Sequence, residues 1–383
     1  MKILHVITSI DPKTGGTAEA VIRSSQIIVE LGHEVEVASI DSQQCEEHVE
    51  HFPWKTHCLG PGGVGSFHYS RPFRQWLLNN VSRFDVVIIH GLWQHTGFAA
   101  RQACRQTDVP YFVYTHGMLD PWFNKTYPLK KIKKYLYWRW GEYRVLRDAQ
   151  AVLFTCEEER NLARTSFSPY KVHEQVVGLG TSAPEFDLDQ ALADSRAQPK
   201  PWAQRPYFLF MSRIQEKKGL DLLVAAYAKL RSNDPTIPEL VIAGPIQQQE
   251  YADKIKTNYT QDGIHWIGTL SGIEKWQALA AAEAMTLVSH QENFGIVIAE
   301  ALAVGTPVLI SNKINIWREI EQGGAGLVAN DSIEGAQKIL GDWLSQSTEA
   351  RQHMVAATTT TFQEHFEIQR STQRLITCIQ SHL

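Results

Sequence analysis

A glutamate lies beside a glycine loop and a short helix in the last third of the chain. Glu292 is in the polar loop after an apolar strand that ends at Ser289, and Gly295 in the same loop permits tight or left-handed backbone geometry. A helix is predicted to begin near Ile296 and to stop at Gly305, with a further apolar strand after it. The first N–H groups of this helix point into the loop, where they could bind an anion.

A second carboxylate, Glu300, lies on that helix, about 12 Å from Glu292 by helix geometry. The two carboxylates are too far apart to share one proton or one small metal ion. They could instead hold the two ends of one extended ligand, such as a sugar nucleotide. The alternative is structural: Glu300 would cover a buried surface, and Glu292 would be a solvated loop residue.

A pair of positive charges follows another predicted strand, 207–212. Arg213 and Lys218 lie in the loop between that strand and a helix that is predicted from Asp221. Fixed cations beside a helix N-terminus suit a diphosphate, because the charges and the helix dipole both attract an anion. Lys217 is the alternative to Lys218, and an ordinary charged surface loop is the alternative to a site.

Two histidines follow predicted parallel strands, at the end where open α/β sheets bind ligands. His90 ends the strand 85–90, with Trp93 shortly after it, and His116 follows the strand 111–115. A histidine beside glycine at a strand end is a better site candidate than one on an apolar helix face. A ring that is hydrogen-bonded to the backbone is the structural alternative.

The segment around Glu292 also carries a longer pattern. It reads Glu-x7-Glu with Phe-Gly after the first glutamate, followed by Ala-Leu-Ala-Val-Gly-Thr-Pro-Val. This pattern resembles the C-terminal signature of retaining GT-B glycosyltransferases of family 4, of the bacterial polysaccharide and exopolysaccharide type. Members of that family also carry Arg-x4-Lys-Gly, which Arg213 and Lys218 match. The resemblance covers the second half of the chain in detail and the first half in outline.

The resemblance implies roles for the matching residues. The catalytic set would be Glu292, His116, Arg213 and Lys218, and His90 and Trp93 would line the acceptor side. The nucleotide-sugar-binding set would be Gly15, Gly16, Arg213, Lys218, Gly244, Gly268, Leu270, Glu292, Asn293, Phe294, Gly295, Ile296, Val297 and Glu300. Cations and helix amides would stabilise the leaving diphosphate in place of a metal. No metal and no cofactor is therefore expected besides the nucleotide sugar as co-substrate.

The implied function is retaining transfer of a hexose from a nucleotide diphospho-sugar, with UDP-glucose as the expected donor. The acceptor would be a saccharide or a lipid-linked saccharide in polysaccharide biosynthesis. In the family's usual scheme the departing phosphate oxygen takes the acceptor's proton, so no separate general base is needed. A sugar-nucleotide epimerase or a phosphorylase on the same scaffold stays open, as does a non-catalytic two-lobed nucleotide-binding protein.

Alternating strands and helices predict an α/β chain with parallel sheets. With the resemblance, they indicate the GT-B architecture: two Rossmann-like domains, an interdomain cleft and a C-terminal helix that returns to the first domain. The predicted boundaries are 1–185 for the N-terminal acceptor domain, 186–205 for a linker, 206–362 for the donor domain and 363–383 for the C-terminal helix. The linker is a stretch rich in Ala, Pro, Asp and Gln without hydrophobic periodicity.

Composition narrows the class of protein. The 383 residues are 43% hydrophobic and 20% charged, which is typical of a globular protein. The net charge of −4 argues against a nucleic-acid partner. Five scattered cysteines without a CxxC pair favour a reducing compartment over a zinc site or a disulfide framework. The short apolar start predicts no signal peptide and no apolar run predicts a membrane span, so a cytoplasmic location is expected.

A basic segment runs from Lys130 to Arg147, with aromatic residues between the charges. The pattern predicts an amphipathic helix whose basic face contacts anionic lipid, placing the protein peripherally on the inner face of the cell membrane. The alternative is a solvated helix whose long side-chain stems cover a core.

Overall fold

The computed structural model describes residues 1–42, 45, 49–63, 65–122, 126, 128–197, 200–260 and 262–383. These residues divide into two compact units. The first unit contains Met1–Gly180 together with Ile368–Leu383, and the second contains Thr181–Glu367. Each unit is built on its own parallel sheet. The prediction of an α/β chain with two Rossmann-like domains is confirmed.

The first unit contains a parallel sheet whose central strands are buried and mostly apolar, whereas the edge strands are polar and partly exposed. Its strands are β1 (Lys2–Val6), β2 (Glu34–Ser39), β3 (Lys55–Cys58), β4 (Val86–His90), β5 (Tyr111–Tyr114), β6 (Ala151–Phe154) and β7 (Glu174–Val176). Within the described residues the order of these seven strands is β3-β2-β1-β4-β5-β6-β7. In the centre, Ile3 pairs with both Val35 and Val86. Continuous apolar strands are expected where helices cover both faces of a parallel sheet.

The second unit contains a similar parallel sheet. Its strands are β8 (Tyr207–Met211), β9 (Glu239–Ala243), β10 (Ile264–Gly268), β11 (Ala284–Leu287), β12 (Val308–Ser311) and β13 (Gly326–Ala329). In the described part of this unit the six strands follow the order β10-β9-β8-β11-β12-β13. Leu209 in the centre pairs with Val241 and Met285, and all three side chains are buried.

Helices connect the strands in both units. They are α1 (Gly16–Glu30), α2 (Arg71–Asn80), α3 (His95–Thr107), α4 (Pro128–Tyr137), α5 (Tyr143–Arg147), α6 (Glu157–Ala163), α7 (Leu188–Ala197), α8 (Leu220–Asn233), α9 (Gln249–Asn258), α10 (Gly272–Ala280), α11 (Ile296–Ala303), α12 (Trp317–Gln322), α13 (Ile333–Ser345), α14 (Thr348–Thr361) and α15 (Ile368–Gln380). A π-helical turn, Trp138–Glu142, joins α4 to α5. Within the described ranges, no helix has both the length and the apolar character that crossing a membrane requires.

The predicted linker, 186–205, contains α7 and a 3-10 turn, Pro201–Ala203, and lies within the second compact unit. The side-chain amide of Gln277 on α10 donates a hydrogen bond to the carbonyl of Ala191 at 2.6 Å. Ala191 is buried, so α7 packs into the second unit. The sequence did not indicate this helix, because the contacts that order the polar segment come from α10, which is distant in sequence.

The last helix, α15, belongs to the first compact unit. It contacts α1, and Leu375, Ile376 and Ile379 join the apolar core of the first sheet. The turn before it, Phe362–Phe366, stays with the second unit. The division between the units therefore falls at Glu367, several residues after the predicted start of the C-terminal helix at 363.

Candidate active site

The strand order of the second sheet places its candidate site. Ligands of open parallel sheets bind beyond the carboxyl ends of the strands where the order changes direction. Here that point lies between β8 and β11, which are neighbours in the sheet although two strands separate them in sequence. The loop after β8 carries Arg213 and Lys218, and the loop after β11 carries Glu292.

Lys218 and Glu292 form a buried ion pair between these two loops. The ammonium group of Lys218 donates a hydrogen bond to Oε2 of Glu292. Lys218 is 3% exposed and the Glu292 side chain is 20% exposed, so water screens the pair poorly. Burial by itself would raise the pKa of Glu292, but the charges of Lys218 and Lys217, with the hydrogen bonds from Lys218 and the Asn293 amide, together outweigh burial, so the pKa is lowered. Glu292 is therefore ionised at neutral pH, and Lys218 rather than Lys217 is its partner.

A glycine allows the two loops to approach closely. Lys218 ends a 3-10 turn, and Gly219 follows it in the left-handed conformation with φ of 61°. A Cβ atom on Gly219 would lie 1.9 Å from the carbonyl oxygen of Val288, just after β11. Only glycine fits this approach, which gives a physical reason for the Lys-Gly pair in the sequence.

The loop after β12, which the sequence did not single out, holds Glu292 in place. The amide of Glu292 donates to the carbonyl of Lys313 at 3.0 Å, and the amide of Asn315 donates to the carbonyl of Glu292 at 3.0 Å. The side-chain amide of Asn315 also donates to Oδ1 of Asn293 at 3.2 Å. Asn315 lies in no recognisable motif, so only the structure reveals this support.

Helix α11 begins beside Glu292 with an open N-terminus. Gly295 precedes the helix in the left-handed conformation, no side chain caps the helix, and no acidic residue lies in its first turn. The amides of Ile296 and Val297 are thus placed to bind an anion. The ring of Phe294 is buried, with its centroid 5.7 Å from that of Phe366. Only the backbone of Phe294 can serve the predicted binding role.

Glu300, predicted to bind ribose, is buried and paired with a lysine that sequence reasoning missed. The ammonium group of Lys275 on α10 donates to Oε1 of Glu300 at 2.7 Å. The same ammonium group lies 4.5 Å from the ring centroid of Trp276. The side chain of Glu300 is only 5% exposed, so a ligand could contact only the small exposed part of this carboxylate, beside Lys275.

Arg213 is placed differently from Lys218. Its side chain is exposed in the loop after β8. Throughout the described ranges, no hydrogen bond or ion pair holds its guanidinium group. The structure therefore brings Lys218 to Glu292 but does not bring Arg213 to it. The predicted role of Arg213 requires the side chain to turn toward a bound diphosphate.

The predicted base-reading turn lies at the ends of β9 and β10. The amide of Gly244 donates to the carbonyl of Gly268 at 2.7 Å. A Cβ atom on Gly244 would lie 1.9 Å from the carbonyl oxygen of Ser212, so glycine is needed here for packing. Leu270 lines a pocket of about 200 Å³ together with Trp202 and residues of β10 and α10.

In the first unit, the predicted residues His90 and His116 lie in one chain of rings with His5, in which His5 and His90 are buried and His116 is partly exposed. Nδ1 of His5 lies 2.8 Å from Nε2 of His90, and Nδ1 of His90 lies 3.0 Å from Nε2 of His116. His5, on β1, was missed because it reads as part of an apolar strand. Burial lowers the pKa of His5 and of His116 to about 4 each and the pKa of His90 well below its usual value, so the rings are neutral at pH 7.

The loop that carries His116 is fixed by a buried carboxylate, Glu159. Its Oε1 accepts hydrogen bonds from the hydroxyl of Thr115 at 2.6 Å and the amide of Gly117 at 2.5 Å. Its Oε2 accepts from both the amide and the hydroxyl of Thr155, each at 2.7 Å. His116 itself has φ of 47°, a conformation that non-glycine residues adopt at a cost of about 1 kcal/mol or more.

Trp93, predicted on the acceptor side, is held by hydrogen bonds from both its backbone amide and its indole ring. Its amide donates to Oε2 of Glu142 at 2.9 Å, and its indole N–H donates to the carbonyl of Met118 at 3.2 Å. Burial raises the pKa of Glu142 to about 8, so this carboxyl group is protonated at neutral pH. The ammonium group of Lys134 lies 4.5 Å from the Trp93 ring centroid.

The glycine loop after β1 leads into the N-terminus of α1. Gly15 has φ of 120° and precedes the helix, and Gly16 is its first residue. No side chain caps this helix end, so its first amides are open to an anion. Across the described ranges, no group of three or more His, Cys, Asp or Glu side chains could hold a metal ion. Independence of metal remains a prediction.

Comparisons with known proteins follow the division of the chain. Residues 15–180 match the family described as glycosyl transferase 4-like domain, and residues 193–361 match the family described as glycosyl transferases group 1. The chain is 27% identical over 202 residues to D-inositol 3-phosphate glycosyltransferase of Jonesia denitrificans, an alignment that covers 50% of this chain and 47% of that protein. It is 26% identical over 310 residues to alpha-maltose-1-phosphate synthase of Mycobacterium tuberculosis, covering 73% and 76%.

Other relatives are matched over shorter stretches. Glycogen synthase of Mycobacterium tuberculosis is 29% identical over 177 residues, which cover 46% of this chain and 41% of that protein. The chain thus spans less than half the length of this relative and of the Jonesia protein. These partial alignments connect the chain to sugar-transferring enzymes without identifying its own substrates.

Solved structures share the fold. The structure of Anabaena HepE in complex with UDP and glucose has a TM-score of 0.76 and 16% sequence identity, and the superposition covers all of both chains. Sucrose-phosphate synthase of Thermosynechococcus elongatus has a TM-score of 0.77 and 18% identity, over 100% of this chain and 99% of that one. At such low identity these likenesses establish the fold alone. The chain therefore contains a glycosyl transferase 4-like domain over residues 15–180, followed by a glycosyl transferases group 1 domain over residues 193–361.

Proposed function

We propose that this protein transfers a hexose, with retention of configuration, from a nucleotide diphospho-sugar to a saccharide or lipid-linked acceptor in polysaccharide biosynthesis. The observation that carries the proposal is the buried Lys218–Glu292 pair beside the uncapped N-terminus of α11. This arrangement offers a cation and helix amides for a diphosphate and a carboxylate for sugar hydroxyls. UDP-glucose is the proposed donor, and the UDP complex of Anabaena HepE supports testing it first.

The proposed roles follow from the contacts. Lys218, Arg213 and the first amides of α11 stabilise the negative charge that grows on the leaving diphosphate. Glu292 accepts hydrogen bonds from sugar hydroxyls, and Glu300 accepts them from the ribose. His116, in the first unit, contacts the donor sugar.

Glu292 is better suited to holding the substrate than to attacking it. Its Oε2 is bonded to Lys218 and its Oε1 accepts a hydrogen bond from the amide of Asn293 at 3.1 Å. Both oxygens are thereby partly occupied, which weakens the carboxylate as a nucleophile. We infer a front-face displacement instead. The bond between the anomeric carbon and the phosphate oxygen breaks, the acceptor oxygen bonds to that carbon, and its proton passes to the departing phosphate.

The competing functions predict different products. An epimerase would convert the sugar nucleotide without any acceptor. A phosphorylase of this scaffold would need a lysine that carries pyridoxal phosphate, which has its own absorbance. A non-catalytic binding protein would hold the nucleotide sugar and release it unchanged. Transfer to an added saccharide separates all three from the proposed function.

The test begins with thermal stabilisation by a panel of UDP-, GDP- and ADP-sugars, in which we expect UDP-glucose to stabilise the protein most. The stabilising donor is then incubated with candidate saccharide acceptors, and the anomeric configuration of the product is read by proton NMR. Products that keep the donor's configuration support the proposal. Inverted products, or epimerised donor without transfer, would contradict it.

We also propose that the segment from Lys130 to Arg147 docks on an anionic membrane surface. Ile132, Leu136 and Trp140 recur at every fourth residue and are 63%, 66% and 67% exposed. Lys133 and Arg139, between them, are exposed as well. Large apolar groups interleaved with cations match the interface of an anionic bilayer. The side chains of 128–131, which include Lys130 and Lys131, lie outside the described residues.

Neither the one acid within this segment, Glu142, nor Asp148 directly after it weakens the positive face. Glu142 is buried beneath the segment rather than exposed on it. Asp148 is held by Arg147 at 2.7 Å and also pairs with Arg101. Arg147 is therefore partly neutralised, and the free basic character is centred on Lys133, Arg139 and Arg144, all of which are exposed.

Co-sedimentation with vesicles tests this docking. Binding should require anionic lipid, and the double substitution Leu136→Ser, Trp140→Ser should weaken it by roughly tenfold or more, because two apolar groups no longer enter the interface. Val355→Ser, which removes an exposed apolar side chain on α14, is the matched control. Equal binding to neutral vesicles would contradict the proposal. It would also be contradicted if light scattering showed a dimer without lipid and the double substitution dissociated that dimer.

A further inference from the structure

Neither end of the histidine chain has a hydrogen-bond partner among the described residues. Nε2 of His5 is buried and has no hydrogen-bond partner in the described part of the chain. At the other end, Nδ1 of His116 likewise has no partner within the described ranges. His116 lines a small cavity of the first unit together with His90, Tyr114 and residues of α15. The chain therefore ends at His5 with a buried nitrogen and at His116 beside a cavity.

Two hydrogen bonds among three neutral imidazoles leave only two arrangements of protons. A neutral ring has one N–H and one lone pair, so each contact needs an N–H on one side and a lone pair on the other. If His90 carries its proton on Nδ1, then His5 and His116 carry theirs on Nδ1 as well. If His90 carries it on Nε2, then all three carry it on Nε2. The rings are therefore coupled, and one of them determines the other two.

The buried end distinguishes the two arrangements. With the protons on Nε2, His5 would bury an N–H group that has no acceptor. With the protons on Nδ1, the same position holds only an unpaired lone pair. Buried N–H groups without an acceptor are rarer in proteins than buried acceptors without a donor. The second arrangement is the one that the surroundings of His5 favour.

We propose that His5, acting through His90, holds His116 in the Nδ1–H form, so that His116 presents a neutral hydrogen-bond donor to its ligand. His5 and His90 are then positioning residues, since neither needs to touch the substrate. The tautomer itself does not depend on the proposed function. Its consequence does, because the ligand oxygen that accepts this hydrogen bond would belong to the donor sugar.

The tautomer is measured directly on the free protein by nitrogen-15 NMR of labelled histidine, without nucleotide or acceptor. At pH 7 we expect all three rings to show the protonated nitrogen at Nδ1, with His5→Asn and His90→Asn assigning the signals. The His5→Asn amide can still donate to His90, so His116 should keep its form. Tyr114→Phe, which keeps the stacked ring but removes its hydroxyl, is the matched control. An Nε2–H signal, an equal mixture or a cationic spectrum for His116 would overturn the proposal.

Substitution of His116 tests the consequence. The amide nitrogen of asparagine reaches the place of Nδ1, whereas that of glutamine reaches the place of Nε2. We expect His116→Asn to keep most of the UDP-glucose affinity and His116→Gln to lose roughly tenfold. Equal losses would refute the donor role of Nδ1. If UDP-glucose does not bind even to the natural protein, the proposed function fails while the NMR result still stands.

Discussion

The sharpest prediction concerns the ion pair between Lys218 and Glu292. The substitution Lys218→Met removes the ammonium group and keeps an apolar stem of similar length. It should lower kcat by roughly 10²–10³, the usual loss when one preorganised group that stabilises transition-state charge is removed. It should also destabilise the fold, because Glu292 would remain largely buried without its counter-ion. Removing one partner of a buried ion pair costs about 3–5 kcal/mol, and the 20% exposure of the Glu292 side chain places the expected cost near the lower value.

The pH dependence of this loss has a definite sign. In the natural protein the pKa of Glu292 is lowered, so the carboxylate adds stability above its unfolded pKa of about 4.5, and this stability is lost as the pH falls through the folded pKa. Without Lys218, burial becomes the leading effect and raises the pKa, so ionisation at higher pH destabilises the folded state. The stability difference between Lys218→Met and the natural protein should therefore grow from pH 4 to pH 7.

Urea unfolding at both pH values measures stability, and initial rates with UDP-glucose or the donor found in the panel measure activity. The double substitution Lys218→Met, Glu292→Gln should recover much of the stability but none of the activity, since it removes the unpaired charge without restoring the cation. Lys229→Met, on the exposed face of α8, is the matched control and should change neither. A Lys218→Met protein with turnover within threefold of the natural one would refute the assignment.

Three further predictions rest on single contacts. Glu300→Ala should weaken binding of UDP by roughly 10- to 100-fold in calorimetry, as the loss of one hydrogen bond to a charged group does, and unchanged affinity would remove Glu300 from the site. Because the pKa of Glu142 is raised to about 8 in the folded protein, Glu142 lowers the stability of the fold as the pH rises from about 4.5 to 8. Glu142→Gln should therefore raise the melting temperature at pH 8 but hardly at pH 4.5, and an equal shift at both pH values would contradict this. Gly219→Ala should destabilise the fold by more than about 2 kcal/mol, because the strain of a left-handed alanine adds to the clash with Val288. Gly305 has φ of 85° and open space around it, so Gly305→Ala should cost only the backbone strain of about 1–2 kcal/mol. Equal losses of stability in urea unfolding would show that the close approach at Gly219 is unimportant.

Much of the site could be read from the sequence because its signals are local. The Glu292–Gly295 loop, the helix that starts at Ile296 and the Lys218–Gly219 pair each form a contiguous pattern in which residue type reports backbone geometry. Alternating apolar strands and helices likewise indicated parallel sheets. These inferences need only the conformational preferences of neighbouring residues, and no knowledge of which strands pair.

The structure alone decided which partners these residues have. Lys218 meets Glu292 across 74 positions, and His5 meets His90 across 85, because β8 lies beside β11 and β1 lies beside β4. Neither Lys275 nor the helix at 188–197 has a local sequence signature. Lys275 on α10 pairs with Glu300 on α11, and the helix at 188–197 packs on α10, so both depend on contacts that are distant in sequence. Pairing of distant strands and burial of charge are properties of the whole fold, so no short stretch of sequence encodes them.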